Sequence, residues 1–306
     1  DPGERARGRV RDAMVGLGMM EVLTTSFMSR KVVALPGQGS VEPVELDNPV
    51  NKQMPLLRTA LLPSLLEVVR RNRNVGESDL RLFELGKVFW RSEGAIREKW
   101  AMAGVITGLA AAPAWDGEAR GVDFYDGKGV LTALAQALDV DTPLSSCYDD
   151  PMLETGKGAL LSIGGVELGR FGMVSGAVLD AWEISDPVFA FELDLDRLCE
   201  LSDVKVSFVP LPRYPRVRRD MALVLDEERT AGEVVSAVKV FDEPLLVDIE
   251  VFDIYRGKQL DAGKKSIGFA LTYMSRERTL TDEEVDAAQE RILKHVLDRF
   301  AASLRV

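Results

Sequence analysis

The chain has 306 residues, 46% of them apolar, and a formal net charge of −11. That length favours two domains of ordinary size, and the apolar fraction is ample for folded cores. No apolar run reaches the roughly 18 residues of a spanning helix, the opening DPGERARGRVRD is charged rather than signal-like, and the bulk charge opposes non-specific nucleic-acid binding. The expectation is a cytoplasmic protein with no membrane and no DNA partner, and its first residue, Asp1 rather than Met, reads as a piece of a longer or processed chain.

In chain order, periodicity predicts a helix over 4–17, a strand over 21–28, and a helix within 56–73 whose Leu61, Leu62, Leu65, Leu66 and Val69 share one face. LRLFELGKVFW (80–90) and WAMAGVITGL (100–109) flank a polar turn and read as a long hairpin. Asp126 is placed as the cap of a helix running to Leu138, 159–174 reads as a Gly-Gly hairpin, and 188–195 (VFAFELDL) as a further strand. Hairpins with helices between them imply an α+β fold rather than a doubly wound sheet.

The stretch 201–215 holds Pro210, Pro212 and Pro215, and proline disfavours helix at the residue before it, so this is the expected connector. Beyond it the pattern is regular. A buried strand (219–226, RDMALVLD) precedes the capping box Thr230–Glu233 and a helix with Val234, Val235, Val238 and Phe241 on its apolar face. In 245–255, Val247, Ile249 and Val251 alternate with Asp248 and Glu250, and in 265–275 the apolar set is Ile267, Phe269, Leu271 and Tyr273. A second box, Thr281–Glu284, opens a helix carrying Val285, Ala288, Ile292, Val296 and Phe300, and SLRV closes as an edge strand. The order β-α-β-β-α-β is the split βαβ, ferredoxin-like arrangement, which puts both helices on one face and leaves the other free for a partner.

Few residues invite conventional catalysis. Cys147 and Cys199 lie outside any Cys-x-x-Cys spacing and read as ordinary thiols, and His295, the sole histidine, sits mid-helix in a structural setting. RGKQLDAGKKS fails as a phosphate loop because its glycine spacing is one residue too long and no helix follows. Asp248 and Glu250 share a strand face, whereas regular alternation turns Asp253 the other way, so these acids are not expected to converge on a metal.

Positive charge is concentrated instead. Arg213, Arg216, Arg218 and Arg219 crowd the entry of the tail, where residues 210–306 carry 16 Lys+Arg against 18 Asp+Glu, compared with 22 against 31 before it. With Tyr255, the adjacent Lys264 and Lys265, and Arg276 and Arg278 before the last helix, the set reads as an RNA surface. Guanidinium and ammonium groups would take phosphates, and aromatics would take unstacked bases.

RYPRVRRDMALVLDE, VFDIYRGKQLDAGKKSIGFALTYMSRERTLTDEEV and the terminal LR resemble the ferredoxin-fold anticodon-binding domain of the bacterial phenylalanyl-tRNA synthetase β-subunit family. LDNPVNKQMPLLRTALLPSLLEVVRRN, LRLFELGKVF and VDFYDGKGV resemble that family's class II synthetase-like module. The resemblance implies such a module over 1–204, a linker at 205–211 and the ferredoxin-like domain at 212–306, with no editing module. It further implies partnership with an α subunit in an α2β2 heterotetramer that attaches phenylalanine to tRNA(Phe), ATP and Mg2+ serving the whole complex and none bound by this chain. A working class II site needs an arginine in an F-R-x-E strand and a later Gly-x-Gly-x-x-Arg. Here Phe89-Trp90-Arg91-Ser92-Glu93 moves the arginine one place along, and no such glycine motif is found, so the module reads as non-catalytic. The alternatives are an independent amino-acid-activating enzyme and a ferredoxin-like metabolite sensor; the charged LDEERTAG, where a sensor would have a Gly-rich loop, opposes the latter.

Overall fold

In the computed structural model, residues 2–35, 41–111, 114–115, 117–140, 144–202, 211–257 and 259–305 are described. The chain divides into two compact units, Asp1–Val206 and Ser207–Val306. The expected linker at 205–211 lies outside the described residues except for Leu211.

The first unit runs α1 (Pro2–Gly16), β1 (Met20–Glu21), β2 (Phe27–Met28), α2 (Arg30–Val33), β3 (Leu56–Leu57), α3 (Leu62–Asn74), β4 (Leu80–Ser92), β5 (Ala95–Thr107), β6 (Leu109–Ala111), β7 (Arg120–Gly121), α4 (Phe124–Ala137), β8 (Leu144–Cys147), β9 (Leu153–Ile163), β10 (Val166–Val174), α5 (Gly176–Ala181), β11 (Val188–Asp194) and α6 (Leu195–Leu201). Seven of these strands form one sheet in the order β1-β4-β5-β11-β10-β9-β8, antiparallel except for the β1–β4 pair. Strand pleating sends alternate residues to opposite faces. Phe83, Leu85, Phe189 and Phe191 therefore pack with Met14 of α1, Leu131 of α4 and Leu198 of α6, while Leu82, Val88, Ala101 and Ala190 pack with Leu65 and Leu66 of α3 and Val178 of α5.

Two local expectations change. The strand expected over 21–28 is broken, because Val22 N–H still reaches Phe83 O at 2.9 Å but Thr24 then turns aside to a buried ion pair. The Arg58 Nη1–Glu84 Oε1 distance is 2.7 Å, with side chains only 4% and 2% exposed, and Thr24 Oγ1 both donates to Glu84 Oε2 and accepts from Arg58 Nη1. The α4 cap is Asp123 rather than Asp126. Asp126 is the third residue of the helix and reaches back to the Asp123 amide at 2.9 Å, completing a capping box that Arg120 reinforces with two hydrogen bonds.

The second unit runs β12 (Val217–Asp226), α7 (Ala231–Phe241), β13 (Leu246–Tyr255), β14 (Lys264–Tyr273), α8 (Asp282–Phe300) and β15 (Ser303–Leu304). Its strands lie in the order β13-β14-β12-β15, all antiparallel. Both predicted capping boxes form, with Thr230 accepting from Glu233 N–H and Thr281 from Glu284 N–H. The core joins Met221, Leu223, Ile267, Phe269 and Tyr273 of the sheet to Val234 of α7 and Ile292 of α8. His295 stacks on Phe241 at 4.7 Å between ring centroids, a structural setting as expected.

Candidate nucleic-acid interface

Register decides which predicted residues face away from the helices of the second unit. Met221, Leu223 and Leu225 of β12 are buried against α7 and α8, so Arg219 shares their face and Arg218 the other. In β14, Lys265 is paired with Leu225 and belongs to the helix face, while Lys264 is paired with Asp226 on the open one.

Two residues expected to contact RNA therefore lie on the helix side of the sheet. Arg219 is held by Asp282 at 2.6 Å and Asp286 at 3.3 Å, both on α8. Lys265 is 7% exposed and donates from Nζ to Glu227 O at 2.6 Å, so it is buried on the side away from the open face. Both placements off the open face follow from alternation along a strand.

The remaining candidates divide by charge partner. Arg218 lies on the open face but 3.2 Å from Asp220 and 4.0 Å from Glu250, and Lys264 sits 2.6 Å from Asp226. Arg278 forks both guanidinium nitrogens onto Glu284, whose carboxyl is held at about 2 by that guanidinium and by the Thr281 amide. Arg213 and Arg216, in the exposed approach to β12, and Arg276, in the exposed loop before α8, make no ion pair among the described residues.

The open face itself differs from a basic platform. β13 has register shifts between Leu246 and Asp248 and between Val251 and Asp253. The second inserts one residue, Phe252, and reverses the alternation beyond it. Asp253 then pairs with Gly268 and joins Asp248 and Glu250 on the open side, against the expectation that it points away. Tyr255, paired with Ser266, also reaches that side. Among the described residues of this face, acids outnumber cations, yet no group of three or more His, Cys, Asp or Glu side chains could hold a metal ion.

Two features of this face escaped the sequence reading. The Phe252 ring is 52% exposed and lies over Gly268, where an added Cβ would sit 2.8 Å from Cζ, so glycine is what lets the ring lie on the sheet. Arg305, after β15, donates its backbone N–H to Ala222 O and places its guanidinium carbon 4.3 Å from the Tyr255 ring centroid. Phe252 was hidden by the bulge. Arg305 is the arginine of the terminal LR, and pairing SLRV beside β12 would have brought it to the open face.

In the first unit, a cavity of about 480 Å³ opens on the α3 side of the sheet, lined in part by Val88, Trp90, Lys99, Arg170, Glu192 and Asp194. Trp90 occupies the inward position, whereas Arg91 is turned to Glu42, its amide bonded to Glu42 O at 2.8 Å and its guanidinium 3.7 Å from the carboxylate. The glycine motif that was not found has a counterpart in spacing. Glu192-x-Asp194-x-x-Arg197 spans the β11–α6 join with a carboxylate at each glycine position, which a search for glycine passes over.

Both acids are used structurally. Glu192 Oε1 accepts the Leu61 amide at 2.8 Å at the start of α3, and burial pushes its carboxyl up. Asp194 caps α6 through the Arg197 amide and pairs with Lys99 at 3.0 Å; Arg170 is paired with Asp150. Arg197 donates to Glu167 O at 3.0 Å. These residues do not fit a triphosphate, since the cavity cations are already neutralised and two carboxylates stand where backbone approach would be needed.

Residues 1–195 match the family described as Phenylalanyl tRNA synthetase beta chain CLM domain, and residues 212–305 match the family described as Ferredoxin-fold anticodon binding domain. The chain is 35% identical over 310 residues to the Phenylalanine--tRNA ligase beta subunit of Geobacillus kaustophilus (strain HTA426), covering 99% of this chain and 38% of that protein. It is 35% identical over 309 residues to the protein of the same name from Geobacter sulfurreducens, covering 99% of this chain and 39% of that one. The chain thus spans under two fifths of the length of these curated relatives. A crystal structure of pyrrolysyl-tRNA synthetase from Desulfitobacterium hafniense superposes with a TM-score of 0.50 at 18% identity, over 64% of this chain and 67% of that one, a likeness of fold.

Proposed function

The chain belongs to the phenylalanyl tRNA synthetase beta chain family, and on that premise we propose that it grips tRNA(Phe) near the anticodon and supports a catalytic α subunit without making bonds itself. The observation that carries the RNA part is the open face of the second unit, where the exposed Phe252 and the half-buried Tyr255 lie on the side of the small, buried residues Ser266, Gly268 and Ala270 of β14. Unpaired bases stack on such aromatics. The acidic side chains of the face disfavour a phosphate backbone laid across it, so phosphates are taken at its rim by Arg213, Arg216 and Arg276, which carry no acid partner among the described residues. The anticodon loop is the part of a tRNA that offers splayed bases beside a turning backbone.

The proposed division of labour rests on the first unit. Trp90, Glu192 and Asp194 stand where a nucleotide clamp would need a cation and two glycines. ATP and Mg2+ therefore act at the partner subunit, in a cytoplasmic α2β2 assembly that charges tRNA(Phe). Met20, Leu23 and Phe27, 67%, 84% and 39% exposed on neighbouring short segments, give the first unit apolar surface for that partner.

The test is anisotropy with an RNA hairpin bearing the tRNA(Phe) anticodon loop. Replacing Arg213 and Arg216 by Glu should weaken binding and flatten the log Kd against log salt plot by about 1 per lost phosphate contact. Unchanged affinity and slope would remove the cationic rim from the proposal. ATP–pyrophosphate exchange by the pure chain would instead favour the independent enzyme.

A further inference from the structure

The cavity of about 480 Å³ in the first unit has the size of a small-molecule site although it lacks a clamp for a nucleotide. Its charges are unevenly matched. Lys99 lies 3.0 Å from Asp194 and Arg170 is paired with Asp150, so both cations of the lining are already neutralised. Two carboxyl groups of the lining are not. Glu167 makes no ion pair among the described residues, and Glu192 is satisfied through one oxygen alone: Oε1 accepts the Leu61 amide at 2.8 Å, while Oε2 is buried with no hydrogen-bond partner among the described residues. Burial pushes the Glu192 carboxyl up, against Arg170, the Leu61 and Leu62 amides and Lys99, which draw it down. A buried acceptor without a donor is costly, and a cation beside it would relieve both the missing bond and the stranded charge.

The remaining lining says which cation. Ala60, Val88 and Ala101 are apolar, and Trp90 and Tyr148 are aromatic. Among the described residues no cation lies over either ring, so their π-faces remain open to one. No group of three or more His, Cys, Asp or Glu side chains among the described residues could hold a metal ion, and apolar walls do not suit a hydrated one. An organic cation meets both conditions: its N–H groups supply the donor that Glu192 lacks, and its carbon body takes the walls. We propose that this cavity binds a small primary ammonium ion with an apolar body, Glu192 serving as counter-ion and Trp90 as the wall. The terminal torsion of a glutamate is soft, so a small turn of the half-buried Glu192 carboxyl brings Oε2 to the ligand. The site lies wholly within the first unit and is independent of the RNA surface of the second.

The experiment is isothermal titration of the 306-residue chain with three probes of similar shape: benzylamine as the cation, benzyl alcohol as its neutral counterpart and benzoate as the anion. Benzylamine should bind about tenfold or more tightly than either of the others. Glu192→Gln keeps an acceptor for the Leu61 amide and removes the charge, and should weaken benzylamine binding by roughly 10- to 150-fold, the range for a hydrogen bond to a charged group. Trp90→Leu should weaken it by roughly 2- to 30-fold, the range for a cation over an aromatic face. Equal affinity for benzylamine and benzyl alcohol would reduce the site to an apolar pocket and overturn the proposal. Native benzylamine affinity in Glu192→Gln would place the amine elsewhere and overturn it too, as would the absence of benzylamine binding up to about 10 mM. Equal urea midpoints establish that the variants are folded; should Glu192→Gln not fold, the three probes on the native chain and the Trp90→Leu variant decide.

Discussion

Replacing Glu84 by Gln should destabilise the first unit far more than loss of a surface ion pair would. The Arg58–Glu84 pair is shut off from water, and Arg58 completes its set through Nε to Lys87 O at 2.9 Å. Gln keeps the shape but leaves the guanidinium buried with no countercharge, a change that costs about 3–5 kcal/mol, whereas an exposed pair contributes about 0–1 kcal/mol. For a unit of this size, each kcal/mol moves the midpoint by roughly 2–4 °C, so a fall of about 6–20 °C is expected. Arg58→Met should cost about the same 3–5 kcal/mol, since it strands the carboxylate. The double variant Arg58→Met/Glu84→Met should be no worse than either single, because the charges are then absent together. All four tryptophans, Trp90, Trp100, Trp115 and Trp182, lie in the first unit, so indole fluorescence during urea unfolding reports that unit alone. Additive losses in the double variant, or a Glu84→Gln cost near that of a surface pair, would refute the reasoning.

Gly268→Ala should displace Phe252 and weaken anticodon-hairpin binding by roughly 10-fold while costing about 1 kcal/mol or less of stability, measured by anisotropy and urea midpoint together. Asp126 should confer an acid limb on the first unit. Its folded carboxyl is lowered from 3.8 to about 2, chiefly by Arg120, so its contribution is complete above the ordinary value and lost as pH falls through the folded one. After allowance for solvent screening that contribution is about 1 kcal/mol, and Asp126→Asn should lose it at pH 7 but approach the native protein as pH falls toward and below the folded value of about 2, read from urea midpoints. Trp90→Arg should leave ATP–pyrophosphate exchange at background, because Glu192 and Asp194 remain in the cavity.

The regular elements were legible because hydrophobic period follows directly from burial on one face. The ferredoxin-like order, both Thr-x-x-Glu boxes and the long β4–β5 hairpin needed nothing more. Residue parity would also have separated Arg218 from Arg219 and Lys264 from Lys265, had the buried set Met221, Leu223 and Leu225 been carried through to the charged neighbours. Other features depend on contacts distant in sequence. The break after Val22 is set by a buried ion pair whose members are 26 residues apart, and the β13 bulge leaves VDIEVFDIY looking like plain alternation. Arg305 becomes part of a site only once the last strand is docked against β12. The carboxylates at the glycine spacing were missed because a motif was sought by residue type, while the backbone kept the spacing and changed the chemistry.

The inserted residue in β13 is absorbed by the bulge, so the strand beyond it keeps its partners. Deleting Phe252 would close the bulge and leave Asp253, Ile254 and Tyr255 opposite Gly268, Ile267 and Ser266, with Tyr255 still on the ligand side and Ile254 still in the packed interior. The inserted position is therefore a place where the domain can gain or lose a surface aromatic without turning over either side of the strand.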